Sequence, residues 1–427
     1  MRLTRFSVEN YRAFAQPTRL ELRALTLFFG YNSGGKSALL RFLPIAAASS
    51  GEQLAPLAFD SPAARGASFR DVLSRHTTSP TMRVGLEWRD SRGPLTIETS
   101  VRDVPERQLQ VVEDLAIQTP DGRVEAVWNA DPASLGARAR EYEVTHDGAT
   151  IGTLPIPFRG IAPVPRTGTL DQAQAIVDVA ADAFHGLRDR VHWLASLRAV
   201  PPRLARFGVP PTRLAPDGLN AGDYLAHDAI VDGALVDAVS AAFAKITNHQ
   251  IAVKRYAMAG EEQYSLVITA GNATPPVEVP VVDTGEGMAQ LLPVVVLGAL
   301  AKLGRLATDS VLAVEHPELH LHPAAHAALA KFFCDLASAE DGPQCVIETH
   351  SENFLLRVQI AIAKGELAPD KVIVHWVKTL HTGSVVDTIV FDDAARPQGA
   401  GWPPGVFSED LVQARELLKI RKQKGIA

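Results

Sequence analysis

The stretch ALTLFFGYNSGGKSALLRFLPIAAA, residues 24–48, limits the fold more than any other part of the chain. It passes from an apolar, strand-like run through a glycine-rich turn into an apolar segment of helical length. Residues 30–37, GYNSGGKS, fit the pattern G-x-x-x-x-G-K-[ST]. The physics needs each part. Small residues let backbone N–H groups converge on phosphate oxygens, and the helix that follows turns its positive end towards them. Gly30, Asn32, Ser33, Gly34 and Gly35 would line the cradle, Lys36 would reach the β- and γ-phosphates, and the Ser37 hydroxyl would ligate Mg2+. A flexible glycine turn is the plain alternative, but a strand before and a helix after are the context the phosphate loop requires.

A phosphate loop needs an acidic strand end elsewhere to hold Mg2+, and a group to orient the attacking water. Residues 311–323, VLAVEHPELHLHP, supply a four-residue apolar run ending in Glu315. His316, His320 and His322 would share a face if this were a strand, which opens a zinc reading. Pro317 and Pro323 interrupt such a strand, and neither cysteine nor a further carboxylate cluster follows at metal-ligand spacing. His320 and His322 are therefore read as structural or subunit-contact residues. Residues 346–357, VIETHSENFLLR, form another apolar run with a polar end, and 282–293, VDTGEGMAQLLP, is a glycine-rich helix start.

Together these segments resemble the ABC-type branch of AAA-family P-loop ATPases, the SMC/RecF/OLD-like group that includes the ATPases of prokaryotic anti-phage defence operons. The resemblance implies an α/β fold: an ABC-type P-loop NTPase head, a mixed sheet flanked by helices; the residue pattern alone adds an antiparallel β lobe and a helical insertion. It implies roles as well. Glu315 matches the Mg2+-associated acid, and His350 the switch histidine that senses the γ-phosphate. His316 stands where many relatives carry the catalytic glutamate, with Glu318 two residues on. An imidazole can accept a proton near pH 7, so slow turnover is compatible with that departure. Gly285, Gly287 and Gln290 match the signature loop with which one subunit caps the γ-phosphate held by another, but Ala289 replaces its serine. Arg12, after Tyr11, falls where relatives have an aromatic-arginine pair near the nucleotide; a strand end is the plain reading. Residues 193–208 and 215–225 resemble an Arg-Pro-rich segment and a Pro-Asp-Gly turn of the same branch. Residues 401–418, GWPPGVFSEDLVQARELL, resemble the tail of a conserved C-terminal domain of unknown function.

The organisation expected is an N-terminal half of the ATPase lobe at 1–80, an antiparallel β lobe at 81–160, a helical and loop insertion at 161–250, and the C-terminal half at 251–427. Strand-like pieces alternate with turns from about 82 to 153, and helices are expected at 170–190, 229–247, 323–338 and 351–364. No heptad run is long enough for an extended coiled-coil arm. A net charge of -6 gives no global basic field, so nucleic acid would need a local patch. Arg198, Arg203, Arg206 and Arg213 could form one for DNA, or pair with acids or another subunit. The longest apolar run, 292–301, is too short to span a bilayer, the N-terminus lacks an apolar signal region, and Cys334 and Cys345 sit in apolar surroundings as free thiols would; a cytoplasmic protein without a membrane partner is expected. The function implied is an ATPase using ATP and Mg2+, weakened by His316. It would form a homodimer or higher oligomer through ATP and serve as the sensor or regulatory subunit of a defence complex controlling a separate nuclease or toxin effector. The alternatives are a RecF-like DNA-binding repair ATPase and a non-hydrolysing nucleotide-bound scaffold. OLD nucleases carry a metal-dependent nuclease domain after the ATPase, and IVFDD at 389–393 is too weak to serve as its core.

Overall fold

The computed structural model describes residues 1–51, 55–130, 135, 139–164, 173–258, 261–271, 276–399, 402, 406–407 and 416. In chain order the first elements are β1 Arg2–Glu9, β2 Thr18–Glu21, β3 Leu25–Gly30, α1 Lys36–Ser49 and α2 Phe69–Val72. Then come β4 Thr81–Asp90, β5 Gly93–Val104, β6 Leu109–Thr119, β7 Gly122–Trp128, β8 Ala139–His146, β9 Ala149–Arg159 and β10 Ala162–Pro163. The middle holds α3 Gln174–His185, α4 Leu187–Arg190, β11 Val191–Leu194, β12 Ala205–Arg206, α5 Ala221–Val231, α6 Ala234–Thr247, β13 His249–Met258, β14 Glu261–Ala270 and β15 Glu278–Pro280. The last part holds α7 Glu286–Lys302, β16 Val311–Glu315, α8 Pro323–Ser338, β17 Gln344–Glu348, α9 Glu352–Ala363, β18 Val372–Leu380, β19 Gly383–Phe391 and β20 Pro397–Gly399.

Three sheets result. The central one has seven strands in the order β11-β16-β17-β3-β18-β19-β20; the first five run parallel and the last two are antiparallel additions. Its strands are short and apolar on both faces, as a sheet covered on two sides requires. Every residue of β3, β16 and β17 is buried. Alternate residues feed two cores. Phe28, Val311 and Ala313 join the core under α1, whereas Leu27, Leu312 and Val314 join the core built with α5 to α9.

A nine-stranded sheet, β10-β9-β8-β7-β6-β5-β4-β1-β2, covers the α1 side. Its strands alternate buried and less buried residues, so one face packs on α1 and α3 and the other faces outward. The β lobe expected from about residue 82 thus takes in β1 and β2 from the N-terminus. A smaller sheet, β12-β14-β13 with β15 on β14, lies beside α5 and α6.

Two helix expectations need correction. The helix expected at 229–247 is two, because Asp232 and Gly233 break it and Gly233 takes the left-handed conformation with φ 72°. The helix expected at 170–190 is α3 followed by the short α4, and residues 170–172 lie outside the described residues. Most of 401–418 also lies outside them, although Trp402 packs on Phe391 and Phe407 at ring-centroid distances of 6.0 and 5.2 Å. Cys334 and Cys345 are buried free thiols, and burial pushes Cys334 up to about 12. No described helix is long and apolar enough to cross a membrane.

Candidate functional site

The glycine-rich turn leaves β3 at Gly30 and enters α1 at Lys36. Gly35 precedes the helix with φ 102°, and a Cβ there would stand 2.9 Å from the Phe14 ring, so only glycine fits. Asn32 and Ser33 are exposed, Ser33 in the left-handed region, while Gly34 is buried. Lys36 is buried, and its ammonium donates to the carbonyls of Gly30 at 2.9 Å and Tyr31 at 2.7 Å. Burial lowers its pKa, opposed by the Glu348 carboxylate.

Two glutamates end neighbouring strands in register: Glu315 on β16 pairs with Glu348 on β17. Each meets one residue of α1. Ser37 Oγ donates to Glu348 Oε1 at 2.7 Å. Arg41, one turn further along, grips Glu315 with Nε to Oε1 at 2.6 Å and with a second bond from its terminal nitrogen to Oε2. Trp193 Nε1 also donates to Glu315 Oε1, at 3.0 Å. The spacing has a plain cause. One helical turn rises about 5.4 Å and parallel strands lie about 4.8 Å apart, so residues i and i+4 of a helix crossing the sheet face adjacent strand ends. Strand order decides which acid Ser37 meets: β17 lies between β3 and β16, so the start of α1 reaches Glu348 first. Ser37, expected at Mg2+ together with Glu315, therefore hydrogen-bonds to Glu348 on the strand next to that of Glu315. The Glu315 carboxylate is engaged by Arg41 and Trp193, and Glu348 is the acid beside the serine.

Glu348 is buried, and its Oε2 has no hydrogen-bond partner. Burial raises its pKa, partly offset by His316, the Ser37 hydroxyl and Lys36. A buried carboxylate with a free oxygen beside a serine hydroxyl is an all-oxygen pair of the kind a hard cation such as Mg2+ takes, so these residues fit the ion that a triphosphate brings. The described loop and the start of α1 likewise fit a phosphate chain.

His316, Glu318 and His350 come together at the same strand ends. His316 adopts a left-handed backbone with φ 43°, and its amide donates to the Glu348 carbonyl at 2.8 Å. Its ring stacks on His350, centroids 5.1 Å apart with planes 13° from parallel, and its Nε2 stands 3.4 Å from Glu348 Oε1. Glu318 is buried and accepts from Thr349 Oγ1 at 2.8 Å and from the His350 amide at 3.0 Å, so it fixes the end of β17. His350 presents an exposed ring; desolvation against the loop, with Lys36 and His316 adding, lowers its pKa to about 4.

Other sequence-predicted residues sit elsewhere. Arg12 donates to the carbonyls of Asp71 at 3.3 Å and Ala64 at 3.5 Å, tying the turn after β1 to α2, while its neighbour Tyr11 reaches α1, its hydroxyl donating to the Ala38 carbonyl at 3.2 Å. Gly285 caps the exposed start of α7, and a Cβ on Gly287 would come within 2.5 Å of the His320 carbonyl. Gln290 is turned inward. It is buried, accepts from the Arg198 amide at 2.9 Å and donates to the Arg198 carbonyl at 2.6 Å. The Arg198 guanidinium donates to the carbonyls of Gln290 and Glu315, and burial lowers its pKa to about 10. Of the two readings of these four arginines, a patch for DNA or pairing, the structure shows contacts within the chain. Arg203 pairs with Asp283 and Arg206 with Glu261, while Arg213 donates to the carbonyls of Arg188 and Val191. His320 lies 3.4 Å from Glu286, and His322 caps α8, so neither joins His316 in a zinc site. Sequence reasoning passed over Glu348, Arg41 and Trp193. The signals were present: Glu348 ends the apolar run of VIETHS, and Arg41 lies four residues after Ser37.

Residues 180–357 match a family profile described as "AAA domain, putative AbiEii toxin, Type IV TA system". No curated protein matches the chain. Among solved structures, the chain is similar to an SMC head bound to the C-winged helix domain of ScpA, at 12% identity over 92% of this chain and 99% of that one, with a TM-score of 0.51. It also matches the SMC head domain from Thermotoga maritima, at 11% identity over 90% and 98% of the two chains, TM-score 0.42. A third match is an Smc head with an extended coiled coil bound to the C-terminal domain of ScpA derived from Pyrococcus furiosus, at 11% identity over 99% of both chains, TM-score 0.46. At such identities the likeness is one of fold: a mixed α/β head of the ABC-type P-loop ATPase kind.

Proposed function

We propose that this chain is an ATP-binding, slowly ATP-hydrolysing head that dimerises through nucleotide and regulates a separate effector. The reading is carried by one contact, the 2.7 Å hydrogen bond joining Ser37 of the glycine-rich turn to Glu348 far downstream. It brings a phosphate cradle and a buried carboxylate to one point. Lys36, already half desolvated on the loop carbonyls, exchanges them for phosphate oxygens, a stronger partner for a buried ammonium. Ser37 and Glu348 are the oxygen donors this chain offers Mg2+, which supplies charge neutralisation for the phosphates. His350, whose pKa is lowered in the nucleotide-free chain, would meet the γ-phosphate as a hydrogen-bonding group. His316 stands beside Glu348 where it can take a proton from water, and Glu318 acts as a positioning residue through the Thr349 hydroxyl and the His350 amide.

The exposed start of α7 at Gly285 and Glu286 is the surface a second head would use over the phosphate. A regulatory role in a defence complex with a nuclease or toxin accords with the toxin–antitoxin description of the matching profile. A scaffold that holds nucleotide without turnover is the second reading, favoured by a histidine at position 316. Direct binding of DNA by Arg203, Arg206 and Arg213 finds less support, since their guanidiniums are engaged within the chain.

Binding of a slowly hydrolysed ATP analogue tests the reading. Lys36→Ala should weaken it by about tenfold to a hundredfold, the scale of a lost charge-assisted contact. Light scattering with saturating analogue should show doubled mass, and unchanged mass would remove the nucleotide-joined dimer. Phosphate release measured with and without the products of neighbouring genes separates slow turnover from none.

A further inference from the structure

Ring nitrogens of His316 and His350 and a carboxylate oxygen of Glu348 all lie within 4.8 Å of one another. Nitrogen and oxygen donors on one tetrahedral zinc ion, at about 2.0–2.2 Å from the metal, stand about 3.4 Å apart. His316 Nε2 and Glu348 Oε1 are already 3.4 Å apart, and a His350 ring nitrogen lies within 4.8 Å of the other two donors. The backbone holds the donors in place. The His316 amide is anchored on the Glu348 carbonyl, and the His350 amide on Glu318. The buried Glu348 Oε2, without a hydrogen-bond partner, gives the carboxylate a second oxygen to offer.

We propose that His316, Glu348 and His350 form a site for a borderline-soft divalent cation, Zn2+ first among them, and that this ion and Mg2+–nucleotide exclude each other. Two imidazoles and one carboxylate select zinc, cobalt or nickel over magnesium, which prefers oxygen donors and retains its water. The site has three protein donors, which would leave a tetrahedral ion a fourth position for water. The Glu348 carboxylate opposes the effect of burial on the nearby Lys36 ammonium. Exclusion follows because Glu348 would serve both ions and because a metal-bound His350 has turned its ring nitrogen from the γ-phosphate. That second half rests on the nucleotide reading above. The first half does not.

The test uses the full chain with Zn2+ alone in calorimetry and Co2+ alone in visible absorption. One ion per chain should bind, with Co2+ giving the absorption bands of a nitrogen- and oxygen-ligated site. His316→Asn and the exposed His350→Asn should each weaken binding by about tenfold or more, and His320→Asn should leave it unchanged. Lys36→Ala should keep the metal while losing nucleotide, which separates failure of this site from failure of the nucleotide reading. Absence of one-to-one binding, or binding unaltered in His316→Asn and His350→Asn, overturns the site. Co2+ bands that persist under saturating Mg2+–ATP analogue, in a chain shown to bind that analogue, overturn the exclusion.

Discussion

Glu315 and Glu348 stand side by side at the ends of adjacent strands, both buried, and their surroundings are opposite. Glu315 is closed off. A guanidinium grips both its oxygens and an indole N–H adds a third bond. Glu348 has a single hydroxyl donor, a histidine nearby and one oxygen without a partner. A carboxylate neutralised by a guanidinium and accepting three hydrogen bonds has most of its about four acceptor positions taken by the framework. A desolvated one with an oxygen that has no hydrogen-bond partner among the described residues still has acceptor positions to offer. The pair shows how one helix, through residues one turn apart, gives two identical side chains different work.

The largest effect expected is on stability. Glu315→Ala leaves the largely buried Arg41 without its counter-charge and should cost about 3–5 kcal/mol in denaturant unfolding. Glu348→Ala should cost less, about 1–2 kcal/mol, since the Ser37 hydroxyl loses its acceptor and no guanidinium is stranded, although His316 and Lys36 lose a nearby carboxylate. Equal costs would break the contrast. In ligand binding the order reverses: Glu348→Ala should weaken Mg2+-dependent nucleotide binding about tenfold or more, while Glu315→Ala, studied below its unfolding transition, stays near the parent. Trp193→Phe is subtler. It removes one hydrogen bond to Glu315 and should lower stability by about 1 kcal/mol without changing nucleotide affinity.

The smallest effect lies in pH. Burial raises the Glu348 pKa above its ordinary value of 4.5, so in the window above 4.5 the folded chain binds more protons than the unfolded one. Stability from this group is therefore lost as pH rises through that window. Unfolding midpoints of the parent should fall relative to Glu348→Gln as pH climbs above 4.5. A gap that stays constant from acid to neutral pH would show that Glu348 titrates normally.

How much of this was legible in the sequence depends on the range of the cause. The strand, glycine-rich turn and helix from 25 to 49 were readable because their cause is local: glycines, lysine and serine within eight residues, between an apolar strand and an apolar helix. The strand-helix-strand succession from 311 to 377 was readable for the same reason, because apolar runs of four to six residues alternate with longer helical ones. The partner of Ser37 was not, because it depends on which strand lies next to β3, and only the sheet order decides that. Gln290 illustrates a second limit. Its place in a signature-like segment suggested phosphate, but a buried arginine 92 positions away captured the amide. β9 escaped notice because Pro155, Pro157 and Gly152 hide its alternation. β7, with regular alternation in GRVEAVW, could have been found.

The order of strands also sets an order of assembly. From β4 to β10 the nine-stranded sheet grows by successive hairpins between sequence neighbours, contacts a nascent chain can make as it emerges. β3 has no such choice: Leu25 pairs with Cys345 on one side and Val372 on the other. The glycine-rich turn is therefore made early and completed late. Until the final third of the polypeptide has been synthesised, the strand before that turn lacks both hydrogen-bonded neighbours and Ser37 lacks its carboxylate, so a ribosome-stalled fragment ending before residue 344 carries the loop without the site.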